Sequence, residues 1–203
     1  MEKETTIFGI RAIIEAIKSD ENIDKIFLQK GLHGELFTEL EHLINKERLN
    51  ASYVPVEKLN RLTKMNHQGA VAQIAPIEFV PLEDLVASVL ESGKVPLFLL
   101  LDQLSDVRNF GAIIRTAVCT GVSGIIIQKI GGAPVNGDTV KTSAGAIFKI
   151  PICKVDHIKD AVFYMQASGI KVIAATEKTD QNLYDVSFTE PCAIIMGSED
   201  KGI

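Results

Sequence analysis

Hydrophobic positions along this chain recur with two periods, and the changes of period mark its elements. Residues 8–18 place Ile10, Ile13, Ile14 and Ile17 at helical spacing, which predicts a helix there. Residues 24–29 form a short apolar-rich run that predicts a strand. Residues 35–48 return to the helical period through Leu36, Phe37, Leu40, Leu43 and Ile44. A strand over 51–56, a short helix over 57–64 and a strand over 70–75 follow. These elements make a compact α/β unit near the smallest size that folds alone. Pro76, Pro81, Gly93 and Pro96 then punctuate a junction in which residues 82–90 suit one amphipathic helix.

The second half opens on a continuous apolar run, 97–101, which ends at Asp102. Such a run suits a strand buried on both faces of a parallel sheet. A helix over 109–120, a strand over 124–128, a small-residue helix over 138–148 and a strand over 149–155 are expected next. They are followed by a helix over 157–168 carrying Ile158, Ala161, Val162 and Met165, and by two further buried strands, 171–175 and 192–196. This alternation predicts an α/β fold, a parallel sheet with helices on both faces. The expected organisation is a domain over 1–76, a linker over 77–94 and a domain over 95–203. Open parallel sheets bind ligands at the carboxyl ends of their strands. The loops 102–110, 176–184 and 197 onward are therefore the candidate site.

Composition narrows the class. With 46% hydrophobic and 23% charged residues, the chain is ordinary for a globular protein. No apolar run approaches the ~18 residues of a membrane helix, and the charged start, Met1 to Thr6, is no secretory signal. The expectation is a cytoplasmic protein with no membrane partner. Cys119, Cys153 and Cys192 lie in apolar surroundings without a CxxC pair, so buried free thiols are expected. The histidines at 33, 42, 67 and 157 have no ligand spacing, and no metal is expected. The net charge of −5 argues against indiscriminate binding to polyanions, while leaving room for a local basic face.

Three stretches carry candidate chemistry. The first is D-x-x-x-D-x-x-N-x-G-A-I-I-R-T-A, from Asp102 to Ala117. Asn109 stands where a side chain could cap the following helix. Gly111 permits close approach of a backbone or ligand. Arg115 lies among the apolar Ile113, Ile114 and Ala117; it either snorkels to solvent, pairs with a carboxylate, or serves a ligand. The second is Met196 to Ile203, where a buried strand runs into the Gly-flanked turn G-S-E-x-x-G. Alone, that turn suits any strand-to-helix connection. The third is Lys141 to Ala146, whose small residues suit close helix packing or a sheltered hydroxyl at Ser143.

Together these stretches resemble the SpoU/TrmH family of RNA 2′-O-methyltransferases. The first resembles motif 1, the turn at Gly197 resembles the start of motif 2, and Ser143-Ala144-Gly145-Ala146 resembles a stretch between them. Phe8 to Ala16 and His67 to Ala72 resemble the family's auxiliary RNA-binding domain. The fold implied is a ribosomal-protein-like α/β domain in front of a parallel-sheet SPOUT domain with a trefoil knot, a rare exception to ordinary topology. The family's third motif has no counterpart before Ile203, so the knot is expected to be incomplete in this sequence. Arg108 also replaces the usual proline before Asn109, adding a charge near the presumed RNA.

The resemblance implies transfer of the methyl group of S-adenosylmethionine to a ribose 2′-hydroxyl. Arg115, Asn109 and Glu199 would form the catalytic set, with Glu199 organising its turn. Thr176, Met196, Gly197 and Ile203 would line the cofactor pocket. Arg11, Lys64, His67, Gln68, Arg108 and Ser143 would contact RNA. A guanidinium is a poor base, its pKa lying above ~12. Arg115 therefore suits gripping a phosphate and stabilising charge on the attacking oxygen, and the family proposal of a phosphate-tuned arginine base stays open beside it. A homodimer is implied, and a structured target, ribosomal in preference to transfer RNA, follows from the front domain. Two rivals stand against this reading. A dinucleotide oxidoreductase fits the alternation, but the loop after the run at 97–101 lacks G-x-G-x-x-G. A non-catalytic RNA-binding protein on the same fold is the other.

Overall fold

A computed structural model describes residues 6–199 and 202–203; Met1 to Thr5, Asp200 and Lys201 lie outside the described residues. The chain divides into two compact units, one running to Ile77 with Pro134–Gly137 added, the other comprising Glu78–Ala133 and Asp138–Ile203.

The first unit is built from β1 (Thr6–Phe8), α1 (Ile10–Lys18), β2 (Ile23–Gln29), α2 (Glu35–Lys46), β3 (Ala51–Val54), α3 (Val56–Leu62) and β4 (Ala70–Ile74). Its sheet runs β1-β4-β2-β3, with β4 antiparallel to β1 and β2, and β2 parallel to β3. Alternation along the strands sends Ile26, Leu28, Ala70 and Ala72 to one face. There they meet Ile13, Ile14 and Ile17 of α1 and Phe37, Leu40 and Ile44 of α2. The opposite face carries a smaller cluster of Phe27, Val54, Val71 and Leu59. The expected helix over 8–18 starts later. Phe8 pairs with Val71 in the sheet, and Gly9, at φ 90°, turns the chain from strand into helix. In this unit the carboxylate of Asp24, only 4% exposed, accepts the Val135 N–H at 3.1 Å.

The second unit comprises α4 (Leu82–Glu91), β5 (Leu97–Leu101), α5 (Val107–Cys119), β6 (Gly124–Gln128), α6 (Gly137–Thr142), a 3₁₀ turn over Ala146–Lys149, β7 (Ile152–Val155), α7 (Ile158–Ala167), β8 (Lys171–Ala175) and β9 (Cys192–Met196). All five strands are parallel, in the order β7-β6-β5-β9-β8. Phe98, Leu100, Ile126, Cys153 and Ala193 pack beneath α4 and α7 through Leu82, Leu85, Val86, Ile158, Ala161 and Met165. The segment read as a linker thus supplies core to the second unit.

Three expectations change here. The helix expected over 138–148 breaks, because Ala144 (φ 50°) and Gly145 (φ 77°) leave helical geometry between α6 and the 3₁₀ turn. The strand at 171–175 is not buried: β8 is an edge strand, with Lys171, Ala174 and Ala175 exposed. Cys119 is exposed at the end of α5, while Cys153 and Cys192 are buried. Burial pushes the Cys153 thiol up to about 12. Among the described residues no helix is long and apolar enough to cross a membrane.

Candidate active site

Because the strands of the second sheet are all parallel, their carboxyl ends share one edge. The chain leaves β5 toward β6 and β7, then returns through β8 to β9, so its order reverses between β5 and β9. That is where such sheets open a crevice. The Asp102 N–H still donates to the Met196 carbonyl at 2.9 Å, holding β5 and β9 together up to the edge. The next residue, Gln103, adopts φ 54° and gives its N–H to Gln128 Oε1 at 3.0 Å. The loop after β5 is thereby drawn toward β6 and away from the loop after β9.

The loop after β9 closes on itself. Gly202 N–H donates to the Ser198 carbonyl at 2.9 Å, and the two residues form an antiparallel bridge. A Cβ at Gly197 would lie 2.6 Å from the Ile203 nitrogen, so only glycine fits beneath this turn. Lys178 ties in the loop after β8. Its Nζ donates to the Ile203 carbonyl at 3.4 Å, and its N–H donates to Thr176 Oγ1 at 3.2 Å. The structure therefore brings Thr176, Met196, Gly197 and Ile203 to the carboxyl ends of β8 and β9. Ile203 is 40% exposed, and Met196 and Gly197 are half-buried. Sequence reading missed Lys178, although a cation in a loop after a parallel strand is the signal that could have found it.

On the other side of the crevice, α5 is capped by Asp106, not by Asn109. The Asp106 carboxylate accepts the N–H groups of Arg108 at 2.9 Å and Asn109 at 2.7 Å. The correction has a simple cause: the helix begins two residues earlier than expected, at Val107. Asn109 is left exposed with its side chain uncommitted to a cap. Phe110, Gly111, Ile114 and Ala117 face inward, while Arg108, Ala112, Arg115 and Cys119 share the exposed face. Neither Arg108 nor Arg115 forms an ion pair among the described residues. Arg115 is thus neither paired off nor needed by the core. The helix ends with Val122 N–H donating to the Ala117 carbonyl at 2.9 Å around Gly121, φ 75°.

Gly111 marks a close approach of backbone. A Cβ there would stand 2.7 Å from the Thr142 carbonyl carbon. Thr142 Oγ1 also lies 3.1 Å from the Val107 carbonyl, locking the end of α6 onto the first turn of α5. Ser143 is fully buried in this packing, and its hydroxyl donates to the Val140 carbonyl at 3.1 Å. It has no surface to offer RNA, so that expectation is corrected: the small-residue stretch serves helix packing.

This layer resolves the charge problem. Residues 107–150 carry Arg108, Arg115, Lys129, Lys141 and Lys149 against the single carboxylate Asp138, in a chain of net −5. Among the described residues, Lys129 alone of those five forms an ion pair, with Asp156 at 3.2 Å. Net charge hid a basic segment within an acidic chain.

In the first unit, the ends of β1, β2 and β3 and the start of β4 meet at one end of the sheet. Gly9 N–H donates to the Ala70 carbonyl at 3.0 Å, Gln29 N–H to Gly69 at 2.8 Å and Lys30 N–H to Val54 at 3.0 Å. Arg11, Lys64 and Gln68 are exposed here, Gln68 at φ 49° with its amide lying over Gly9. His67 is different. It is 9% exposed; its Nδ1 accepts the Gly69 N–H at 3.0 Å, which leaves Nε2–H to donate to Asn60 Oδ1 at 3.0 Å. Both ring nitrogens are committed, so His67 shapes the turn that presents Gln68. Lys30, exposed at the same end, was missed by the sequence reading.

Residues 96–203 match the SpoU rRNA methylase family, and residues 6–80 match the substrate-binding family of RNA 2′-O ribose methyltransferases. The chain belongs to the SpoU rRNA methylase family. YacO of Bacillus subtilis strain 168, assigned to the TrmH family of tRNA/rRNA methyltransferases, is 32% identical over 97% of this chain and 79% of its own length. A protein of the same assignment from Staphylococcus aureus strain MSSA476 is 32% identical over 99% of this chain and 81% of its own. The fold is shared with the AdoMet-bound rRNA methyltransferase of Sinorhizobium meliloti, with a TM-score of 0.56 at 22% identity over 98% of this chain and 72% of that one. It is shared also with a TrmH-family protein of Porphyromonas gingivalis, with a TM-score of 0.52 at 23% identity over 98% of this chain and 74% of that one. Family membership makes this protein an RNA methyltransferase.

Proposed function

We propose that the protein transfers the methyl group of S-adenosylmethionine to a ribose 2′-hydroxyl in a structured RNA, ribosomal RNA in preference to transfer RNA, and works as a homodimer. One observation carries the reading: an arginine on α5 with no ion pair among the described residues stands in a basic segment, in the unit whose crevice is built from the glycine turn after β9. The match of residues 6–80 to a 2′-O ribose substrate-binding family supports the ribose hydroxyl as acceptor.

The residues at the crevice fit such a cofactor. Met196 and Ile203 offer apolar surface, and the Gly197 backbone offers polar groups unobstructed by a side chain, the combination that suits a flat nucleoside. Thr176 would line the same pocket, and Lys178 fixes it by holding Ile203. When bound, S-adenosylmethionine supplies a methyl group already activated by its sulfonium charge. The protein must then orient the attacking oxygen and manage its proton. Arg115, exposed on α5, would grip a phosphate beside the target ribose and stabilise negative charge growing on the 2′-oxygen. Asn109, six residues earlier on α5, would orient the substrate. Glu199 would hold the turn after Ser198. Arg108 on α5 and Arg11, Lys64 and Gln68 in the front unit would contact RNA.

The test is methyl transfer from labelled S-adenosylmethionine to purified ribosomal and transfer RNA, kept separate. Label entering ribosomal RNA alone is the expected result. Label in transfer RNA alone would overturn the choice of substrate, and RNA binding without transfer to either would favour the non-catalytic alternative.

A further inference from the structure

The 3₁₀ turn Ala146–Lys149 presents Phe148 with 56% of its surface exposed. The turn packs against α5, and α6 is locked to the same helix through Thr142, so all three form one layer. Ile147, the residue before Phe148, is buried and anchors the turn from inside. Phe148 thus stands on a fixed base, although an exposed aromatic ring gains nothing there from burial. The layer it stands on carries exposed cations: Lys149 follows it, Lys141 lies on α6, and Arg108 and Arg115 lie on the exposed face of α5. Other phenylalanines of this protein sit under lysines. Lys25 and Lys58 lie over Phe27, Lys154 over Phe79, and Lys159 over the similarly exposed Phe163. Among the described residues no such cation covers Phe148, and its ring is open to an outside partner.

We propose that Phe148 is a stacking platform for an unpaired RNA base, held in register by phosphate contacts to Lys141 and Lys149. The inference rests on the RNA methyltransferase reading and deepens it, since it names where the catalytic unit grips RNA apart from the reacting ribose. Charge complementarity selects the occupant. An exposed ring on a layer that also exposes Lys141 and Lys149, in a chain of net negative charge, matches a polyanion with flat faces, and single-stranded RNA is read by this combination of a basic track and an aromatic platform. A second copy of this chain, with its net charge of −5 spread over a folded surface, brings no unpaired flat bases to stack on the ring.

The test uses two 12-nucleotide single-stranded RNAs of equal charge, one with 2-aminopurine at its centre and one abasic there. The intact protein binds the base-containing strand about tenfold more tightly than the abasic one, on the order expected for one stacked base, and quenches the 2-aminopurine fluorescence. Phe148→Ala removes both the preference and the quenching, and Phe148→Trp keeps them. Lys141→Gln with Lys149→Gln weakens both strands equally and lowers the salt dependence. The proposal is overturned if Phe148→Ala binds both strands as the parent does, if the parent shows no preference, or if Phe148→Ala instead changes the oligomeric state. Circular dichroism of each variant confirms the fold, which an exposed side chain does not support. Methyl transfer by the parent protein reports separately on the underlying reading: transfer with unchanged Phe148→Ala binding defeats the platform alone, and stacking without transfer defeats the enzyme alone.

Discussion

The two units solve the same problem with different sheets. In the second, every strand is parallel, so every strand ends at the same edge and the loops after β5, β8 and β9 gather there in a predictable way. In the first, β4 runs against β1 and β2. The loop cluster at one end of the sheet therefore mixes residues that follow strands, such as Gly9, Arg11 and Lys30, with residues that precede one, such as Gln68 and Gly69. The lesson concerns how a site is found. A parallel sheet announces its site through the order of its strands, whereas a mixed sheet must be paired before its loop cluster can be seen.

The comparison also separates function from support. In the second unit, Arg115 is exposed and forms no ion pair among the described residues, and at the parallel edge Ile203 lies against Gly197, whose lack of a side chain is a steric requirement. At the mixed end, His67 spends both ring nitrogens on the turn, and the exposed Gln68, Lys64 and Arg11 are left to meet a partner. In the function proposed above, chemistry belongs to the parallel edge and recognition to the mixed end.

The sharpest way to break this contrast is Gly197→Ala. The new methyl group would overlap the backbone at Gly202 and Ile203, and backbone cannot yield as a flexible side chain does. Binding of S-adenosylmethionine, followed by calorimetry, is expected to disappear, with methyl transfer lost by a factor of at least about 100. RNA binding by the front unit should persist. Arg115→Ala comes next. It is expected to lower the rate by about 100- to 1,000-fold, the cost of removing one group that stabilises a developing oxyanion. Thermal stability should stay within about 0.5 kcal/mol, as for an exposed residue without a partner. If stability falls with activity, Arg115 is a structural residue. The smallest effect is at the recognition end. Lys64→Gln should weaken RNA binding only several-fold and reduce the slope of log affinity against log salt by about 1, with the maximal rate unchanged.

Much of this was legible before the fold was known, and the exceptions share physical causes. β5, β6 and β9 announced themselves because strands deep in a parallel sheet are apolar without interruption. β8 was equally apolar in sequence, yet position at the edge of the sheet, which no local pattern encodes, left it exposed. β1 was missed because it spans three residues and its pairing partner lies more than sixty positions away. Asn109 was taken for the cap because its spacing from the apolar run suited one. Asp106 won, being the residue before the first turn and able to accept two backbone N–H groups. Ser143 looked like a sheltered hydroxyl near the crevice, and it is sheltered completely. The basic segment over 107–150 was visible in the sequence all along but was averaged away in the net charge.

The account turns on the acceptor atom, and nucleoside analysis tests it directly. RNA methylated by the protein would be digested to nucleosides and separated by chromatography with mass detection. The account predicts a single new nucleoside whose extra 14 mass units reside on the ribose (roughly one methylene added, as the transfer of one methyl requires), absent when Arg115→Ala replaces the parent. A methyl group found on a base would contradict it.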